Sequence, residues 1–378
     1  MSQLRAATAA TLVLAAAVAG CQEIPLAGTE PEAATLPAYT VRQLGLLAGG
    51  ASSEARAVNA DGRVVGVATD AGGAVRAVYF DNGAAVRLAE LAGATASEAW
   101  DINDAGVIVG VVVVGGDELP VRWASPTAQP VLLPLPAGVD EGVARSVNNA
   151  GVVVGNVGDD EVFVLWSAGN QLIQADPASN EEYEVVALNG AGQVIGNAET
   201  DDDEEAGFRW SATEGFAWLG SLEGGGDDDD DDDDAGGPSG ESEARGLNPD
   251  GVVVGHSEIP SGRIRAFRWS EARRMVRLGE PPAPDTEVSA AAVNAAGLVA
   301  GHSFTVDAGG NTLTSRPVVT FMLEAERAWV ALAGLGGARA EPADDGINAC
   351  GVVVGWAQPP SATARRAVAW VPGSCTVR

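Results

Sequence analysis

Lysine is absent from this chain: all 22 basic residues are arginine. A lysine Schiff base and a lysine-ended phosphate loop are therefore excluded. Positive charge of any kind is scarce. Against 52 acidic residues it leaves a formal net charge of −30, which argues against nucleic acid or an anionic membrane surface as a partner. There are two histidines, and without a third clear ligand they make a poor zinc site. No serine has the G-x-S-x-G spacing, so that nucleophile turn is missing as well. After residue 20 no apolar run reaches the roughly eighteen residues a membrane helix needs. No stretch keeps a helical period long enough to compete with strands.

What the chain has instead is one turn written seven times: VNADGRVVG from Val58, INDAGVIVG from Ile102, VNNAGVVVG from Val147, LNGAGQVIG from Leu188, LNPDGVVVG from Leu247, VNAAGLVAG from Val293 and INACGVVVG from Ile347. Successive repeat asparagines are 44, 45, 41, 59, 46 and 54 residues apart, a period that suits a four-stranded propeller blade. In the first repeat Gly and Asn or Asp punctuate four short strands, at Ser53 to Asn59, Arg63 to Thr69, Val75 to Phe80 and Ala85 to Leu91. The asparagine opens a type I turn and bonds the backbone two residues on, and the glycine takes the left-handed conformation of a bulged hairpin. Before each asparagine stands a large apolar residue, and before that a small or short one: Ala57, Asp101, Ser146, Ala187, Gly246, Ala292 or Gly346. This alternation is expected of an innermost strand beside a narrow channel. An aromatic follows later in each repeat (Phe80, Trp123, Trp166, Trp210, Trp269, Phe321 and Trp370) and reads as a blade-packing anchor. The expected fold is all-β: a seven-bladed β-propeller of four-stranded antiparallel blades. Tyr39 to Leu47 and Cys375 to Arg378 both match the fourth-strand pattern and compete to complete the last blade.

Glu54, Glu98, Glu184 and Glu243 each lie five residues before a repeat asparagine. They are expected at one rim as a partial acidic collar at the channel mouth, with Arg56 and Arg245 placed to pair with Glu54 and Glu243. Plain solvated or paired strand starts are the alternative. His256 and His302 follow the last glycine of the turn in neighbouring repeats, where the final repeat has Trp356. The three are a candidate ligand-binding patch or simply polar residues on a partly exposed strand. The run Asp227 to Asp234 lies between glycines inside the longest step, in an insertion at about 223–243 that reads as a disordered loop of like charges. Weak calcium binding at Asp227, Asp228, Asp229 and Asp230 is the sharper alternative, although the run lacks the alternating spacing of a calcium loop. No other cofactor is implied. Cys350 and Cys375 share the last repeat, and an exported chain allows them to pair. One in a hairpin turn and the other opening a strand two strands away would stand too far apart, which leaves the disulfide open.

The first twenty residues have a positive start at Arg5, an apolar stretch from Ala6 to Ala17 and the ending Val18-Ala19-Gly20-Cys21, the pattern of an export signal too short to span as a mature helix. The ending resembles the lipobox of bacterial lipoproteins. That resemblance implies a cleaved signal at 1–20 and lipid on Cys21, and Gln22 in place of Asp implies the outer membrane; with the repeats this leaves a flexible tether over 21–38 and the propeller over 39–378. The repeat runs as a strand ending L-x-x-L-x-G, then S-x-A-x-x-I-N-x-x-G-x-V-V-G, then A-F-x-W. It is similar to the bacterial extracellular HAF-repeat family, most clearly at Leu46 to Gly66, Ser242 to Gly255 and Arg265-Ala266-Phe267-Arg268-Trp269. No repeat keeps the family's histidine, and only the fifth keeps Ala-Phe before Trp. The resemblance implies an exported repeat protein and says little of chemistry. The expectation is a monomeric, lipid-anchored, non-enzymatic binding or scaffolding module at the cell envelope, with an unknown protein or carbohydrate as partner. A polysaccharide lyase or glycosidase with its site at the channel mouth is the alternative. It needs two inward carboxylates, or both histidines within reach of a third catalytic group. A purely structural surface protein is the third reading.

Overall fold

A computed structural model describes residues 36–378 apart from 159–161, 174–181, 200–204, 223–239, 308, 323–327, 361 and 374. The signal, Cys21 and Asp227, Asp228, Asp229 and Asp230 lie outside the described residues. Each of the first six repeats folds into its own four-stranded sheet, with strands hydrogen-bonded in chain order and antiparallel. Blade 1 comprises Ser53–Val58, Val64–Thr69, Val75–Asp81 and Ala84–Arg87. Blades 2 to 7 open with Ala94–Ile102, Gly142–Val147, Tyr183–Leu188, Ser242–Leu247, Glu287–Val293 and Ala340–Ile347. Second strands such as Val153–Val157 and Val353–Ala357 are buried along their whole length. They are mostly apolar on both faces because a neighbouring blade covers each. The apolar clusters lie between consecutive blades, and one of them packs Val58, Val64 and Phe80 of blade 1 against Val354 and Ala369 of blade 7. The seven sheets therefore close into a ring, and the fold is a seven-bladed β-propeller.

The repeat asparagines hold this ring at its centre. Each accepts, through Oδ1, the amide of the residue four positions on at 2.9–3.1 Å. In blades 3 to 6 it also accepts the amide two positions on. The Nδ2 group then donates to the backbone carbonyl of the next blade's asparagine: Asn59 to Asn103, Asn103 to Asn148, Asn148 to Asn189, Asn189 to Asn248, Asn294 to Asn348 and Asn348 back to Asn59, all at 3.0–3.1 Å. Only Asn248 breaks the circle, since its Nδ2 is buried without a partner. Asn103→Asp keeps the turn bonds but sets a carboxylate against the Asn148 carbonyl. It is expected to cost about 2–3 kcal/mol in chemical denaturation, from the lost bond and the buried charge. Asn248→Asp has no such bond to lose and should cost clearly less; equal losses would show that the inter-blade bond contributes nothing.

The last blade is completed by the N-terminal segment. Tyr39–Gln43 pairs antiparallel with Arg366–Pro372, from Tyr39 opposite Pro372 to Gln43 opposite Val368. Cys375 to Arg378 is not a strand. It folds back under blade 1, where Val377 joins the seam cluster and the Arg378 amide donates to the Gly62 carbonyl at 2.9 Å. This corrects the distance argument against the disulfide: Cys350 and Cys375 are bonded, with Cα atoms 6.1 Å apart. Arg366–Pro372 runs antiparallel to Val353–Ala357 with Trp370 opposite Val353. Its end therefore returns to the level of the Asn348 turn, and the residues after it meet Cys350.

The aromatic anchors are largely as expected. Trp123, Trp166, Trp269 and Trp370 are fully buried. The indoles of Trp123, Trp166 and Trp370 donate to carbonyls of the preceding blade, at Ala89, Pro134 and Ala333. Trp210 of blade 4 is only half-buried, and blade 6 departs further from the pattern. Phe321 is only half-buried, and the buried Trp329 takes the anchor role with its indole on the Leu278 carbonyl at 2.8 Å.

Candidate functional site

Each innermost strand carries a β-bulge just before its asparagine, as between Ala55 and Ala57 or between Ala144 and Ser146. The last glycine of each turn makes room for it, since a Cβ on Gly66 or Gly110 would overlap the carbonyl oxygen of Glu54 or Glu98. The bulged residue is thereby re-aimed, and at Arg56, Trp100 and Arg145 it faces the channel mouth. There the Arg56 guanidinium lies 3.6 Å from the centre of the Trp100 ring and that of Arg145 lies 4.2 Å from it, one from the blade before and one from the blade after. Cation–π attraction of this kind is strongest for tryptophan.

Of the four glutamates, Glu54 and Glu184 line the mouth, while Glu243 lines a separate small pocket beside His256, and their pairing runs between blades. Arg56 reaches Glu98 at 2.6 Å instead of Glu54, because its bulged position turns it toward blade 2. Arg145 reaches Glu184 at 3.2 Å, and Glu54 is held by Arg365 of blade 7 at 3.0 Å. Arg245 stays 3.9 Å from Glu243 and sits closer, at 2.7 Å, to Asp344 of blade 7.

Blade 7 differs because its bulge holds two extra residues: five steps from Pro342 to Ile347 face two steps from Gly355 to Val353, where blade 1 has three against two. The added turn carries Ala343, Asp344 and Asp345 into the mouth. It also moves the collar position to Glu341, opposite Trp356, which a fixed five-residue offset from the asparagine overlooks.

The two sets of residues singled out in the sequence are cross-strand neighbours. Glu243 pairs with His256, Ser289 with His302 and Glu341 with Trp356. Their second-strand members are wedged toward the next blade and do not form an open patch. His256 Nδ1 meets Ser289 Oγ at 3.1 Å, and its Nε2 lies 3.2 Å from Glu243. Burial, and then the Arg245 guanidinium, hold His256 down to about 3, so the ring is neutral and donates to Glu243. In outline this is a serine–histidine–carboxylate relay, but Ser289 is 1 % exposed, and no substrate reaches its oxygen. His302 is likewise held well below its ordinary value by burial, Arg245 and His256, and its Nδ1 has no partner. In the equivalent place Asn156 and Asn197 accept the amides of Val185 and Ala244. The blade 7 residue equivalent to Val185 and Ala244 is Pro342, opposite Gly355, and a proline has no amide to give. Trp356 is 8 % exposed, under the Arg365 guanidinium at 4.1 Å.

A cavity of about 340 Å³ fills the mouth, and a second of about 330 Å³ lies toward the asparagine turns. Both are lined by Ala57, Asp101, Ser146 and Asp345, which form the neck between them. The Asp101 carboxylate accepts hydrogen bonds from Ser146 Oγ, the Val147 amide and the Ile102 amide, yet burial still pushes it up. Asp345 accepts one amide, that of Leu247, and burial together with the Asp101 charge holds it well above the carboxylate range. Among the described residues no group of three or more metal-binding side chains exists.

A carboxyl whose pKa is higher folded than unfolded binds its proton more tightly in the folded state. Stability then falls as pH rises from the ordinary carboxylate value through the folded one, and the deficit is fully present above it. Asp345→Asn removes that deficit. It should raise the melting temperature at pH 7 and flatten its fall with rising pH, at about 1.4 kcal/mol per unit of upward shift. A melting temperature that drops in the variant at pH 7 would contradict the assigned cause.

No family model matches the chain, and no curated protein is significantly similar to it in sequence. Solved structures do resemble it in shape. An oligogalacturonate lyase in complex with manganese superposes with a TM-score of 0.55 at 11% identity, covering 90% of this chain and 98% of its own. The β-propeller domain of the Trilobed protease from Pyrococcus furiosus gives 0.53 at 10% identity, covering 84% and 95%. A puromycin hydrolase gives 0.51 at 16% identity, covering 84% of this chain and 51% of its own. At such identities the likeness concerns the propeller alone.

Proposed function

We propose that the protein is an exported β-propeller of the HAF-repeat type, held at the cell envelope by lipid on Cys21 and acting as a non-enzymatic binding module through its channel mouth. The observation that carries this reading is the mouth cavity. Its size lies in the range of small-molecule sites, and its wall is fixed by the Arg56–Trp100–Arg145 stack and the inter-blade ion pairs. Position supports it too. The described chain enters the ring at Tyr39, whose hydroxyl donates to the Gly351 carbonyl at 3.0 Å, on the asparagine-turn face, opposite the mouth. Partners are a carbohydrate or a protein segment at the cell surface. A glycan array probed with and without calcium tests the mouth, comparing the wild type with Trp100→Ala. Saturable binding lost in the variant supports the reading, and binding indifferent to Trp100 refutes it. Cys21→Ala should move the protein from the membrane fraction to the soluble one.

The second reading is a lyase or glycosidase working at the neck, favoured by the two inward carboxylates Asp101 and Asp345. Release of cleaved oligosaccharide from a bound glycan would select it.

A further inference from the structure

Charge at the mouth does not balance. Four guanidiniums reach it, and each is committed: Arg56 to Glu98, Arg145 to Glu184, Arg365 to Glu54 and Arg245 to Asp344. Asp101 and Asp345 remain at the neck with hydroxyl and amide donors but no cation. The chain itself shows how such a carboxylate is satisfied here. Asp344, the neighbour of Asp345 on the same inserted turn, takes the Arg245 guanidinium across from blade 5 at 2.7 Å. Asp345, one residue on, has the same approach from the mouth cavity and no guanidinium in it. The wall is also built for cations, since two guanidiniums already stack on Trp100.

Resting on the binding-module reading, we infer that the mouth selects a ligand bearing a guanidinium or ammonium group, which seats over Asp101 and Asp345 and completes the charge pairing that Arg245 makes with Asp344. The recognised chemistry is an organic cation, such as a basic side chain of a partner protein or a free polyamine-like amine. A guanidinium meets a carboxylate through two parallel hydrogen bonds, and the electronegative funnel of a chain at −30 draws such a group inward.

Agmatine, which carries a guanidinium and an ammonium, is the probe, titrated calorimetrically into the wild type, Asp345→Asn and Asp101→Asn, with thermal melts confirming that each variant is folded. Maltotriose and calcium chloride are run in parallel. Saturable agmatine binding, weakened at least tenfold in Asp345→Asn, is the expected result. Absence of agmatine binding to the wild type, or equal binding by Asp345→Asn, overturns the inference. So does calcium binding in its place that is lost in the same variant. If maltotriose binds at a Trp100-dependent site while agmatine does not, the binding module stands and only the cation preference falls. If no ligand of any class binds at the mouth, both fall together.

Discussion

Trp123→Ala is expected to lower the free energy of unfolding by about 4 kcal/mol, within the range typical of a fully buried tryptophan truncated to alanine. The indole is completely buried between blades 1 and 2, against Leu88, Ile108 and Val121. Its Nε1 donates to the Ala89 carbonyl at 2.8 Å. Truncation leaves a cavity that rigid strands on both sides cannot close, together with a carbonyl that has lost its donor. Trp123→Phe separates the two effects, since it fills most of the space and loses only the bond, and should cost about 1–2 kcal/mol. Urea denaturation of both variants checks this. An alanine variant within 1 kcal/mol of wild type would mean that this ring does not clamp the two blades.

Reducing the disulfide is the second large perturbation. The bond spans 25 residues of sequence, and by the chain-entropy model a loop of that length is stabilised by about 3 kcal/mol. For a domain of this size the melting temperature should fall by about 4 °C. The structure adds a local expectation. The segment after Pro372 carries Val377 into the seam cluster, and the Val377 carbonyl accepts from Arg42 of the closing strand at 3.1 Å. Freed from Cys350, this segment should exchange its amides faster, the Arg378 amide on Gly62 first, while the Asn103–Asn148 side of the ring stays protected. Cys375→Ser and the reduced wild type should behave alike. Melting curves that superpose with and without reductant would show that the latch adds nothing.

The ring was legible in the sequence because its signal is local and repeated. Asparagine and glycine at a fixed spacing define one hairpin, and seven copies at a blade-sized period leave little choice of architecture. The donation of each asparagine to the next blade was not legible, since nothing in one repeat says what lies beside it. The glutamates of the rim followed from the same spacing rule, and the rule failed where spacing changes. Glu341 is displaced by the inserted turn at 343–346. The clamp around Trp100 was missed for another reason. Its position in the strand holds Arg56, Trp100, Arg145, Val186, Arg245 and Ala291 in successive blades, and such variety looks like a tolerant surface until the bulge is seen to aim it at the mouth. Asp101 was read only as a short residue in a crowded place, and its buried charge is a property of the neck. The disulfide argument failed because it assigned Cys375 to a strand that the N-terminal segment already supplies.

The inserted turn of blade 7 has one more effect. Seven near-copies of a wedge offer a guest near-equivalent settings around the clock, and a guest free to precess through them is held without orientation. Asp344 and Asp345, lodged against blade 5 through Arg245 and Leu247, mark a single hour on that dial. Whatever enters the mouth meets a vestibule with a fixed left and right.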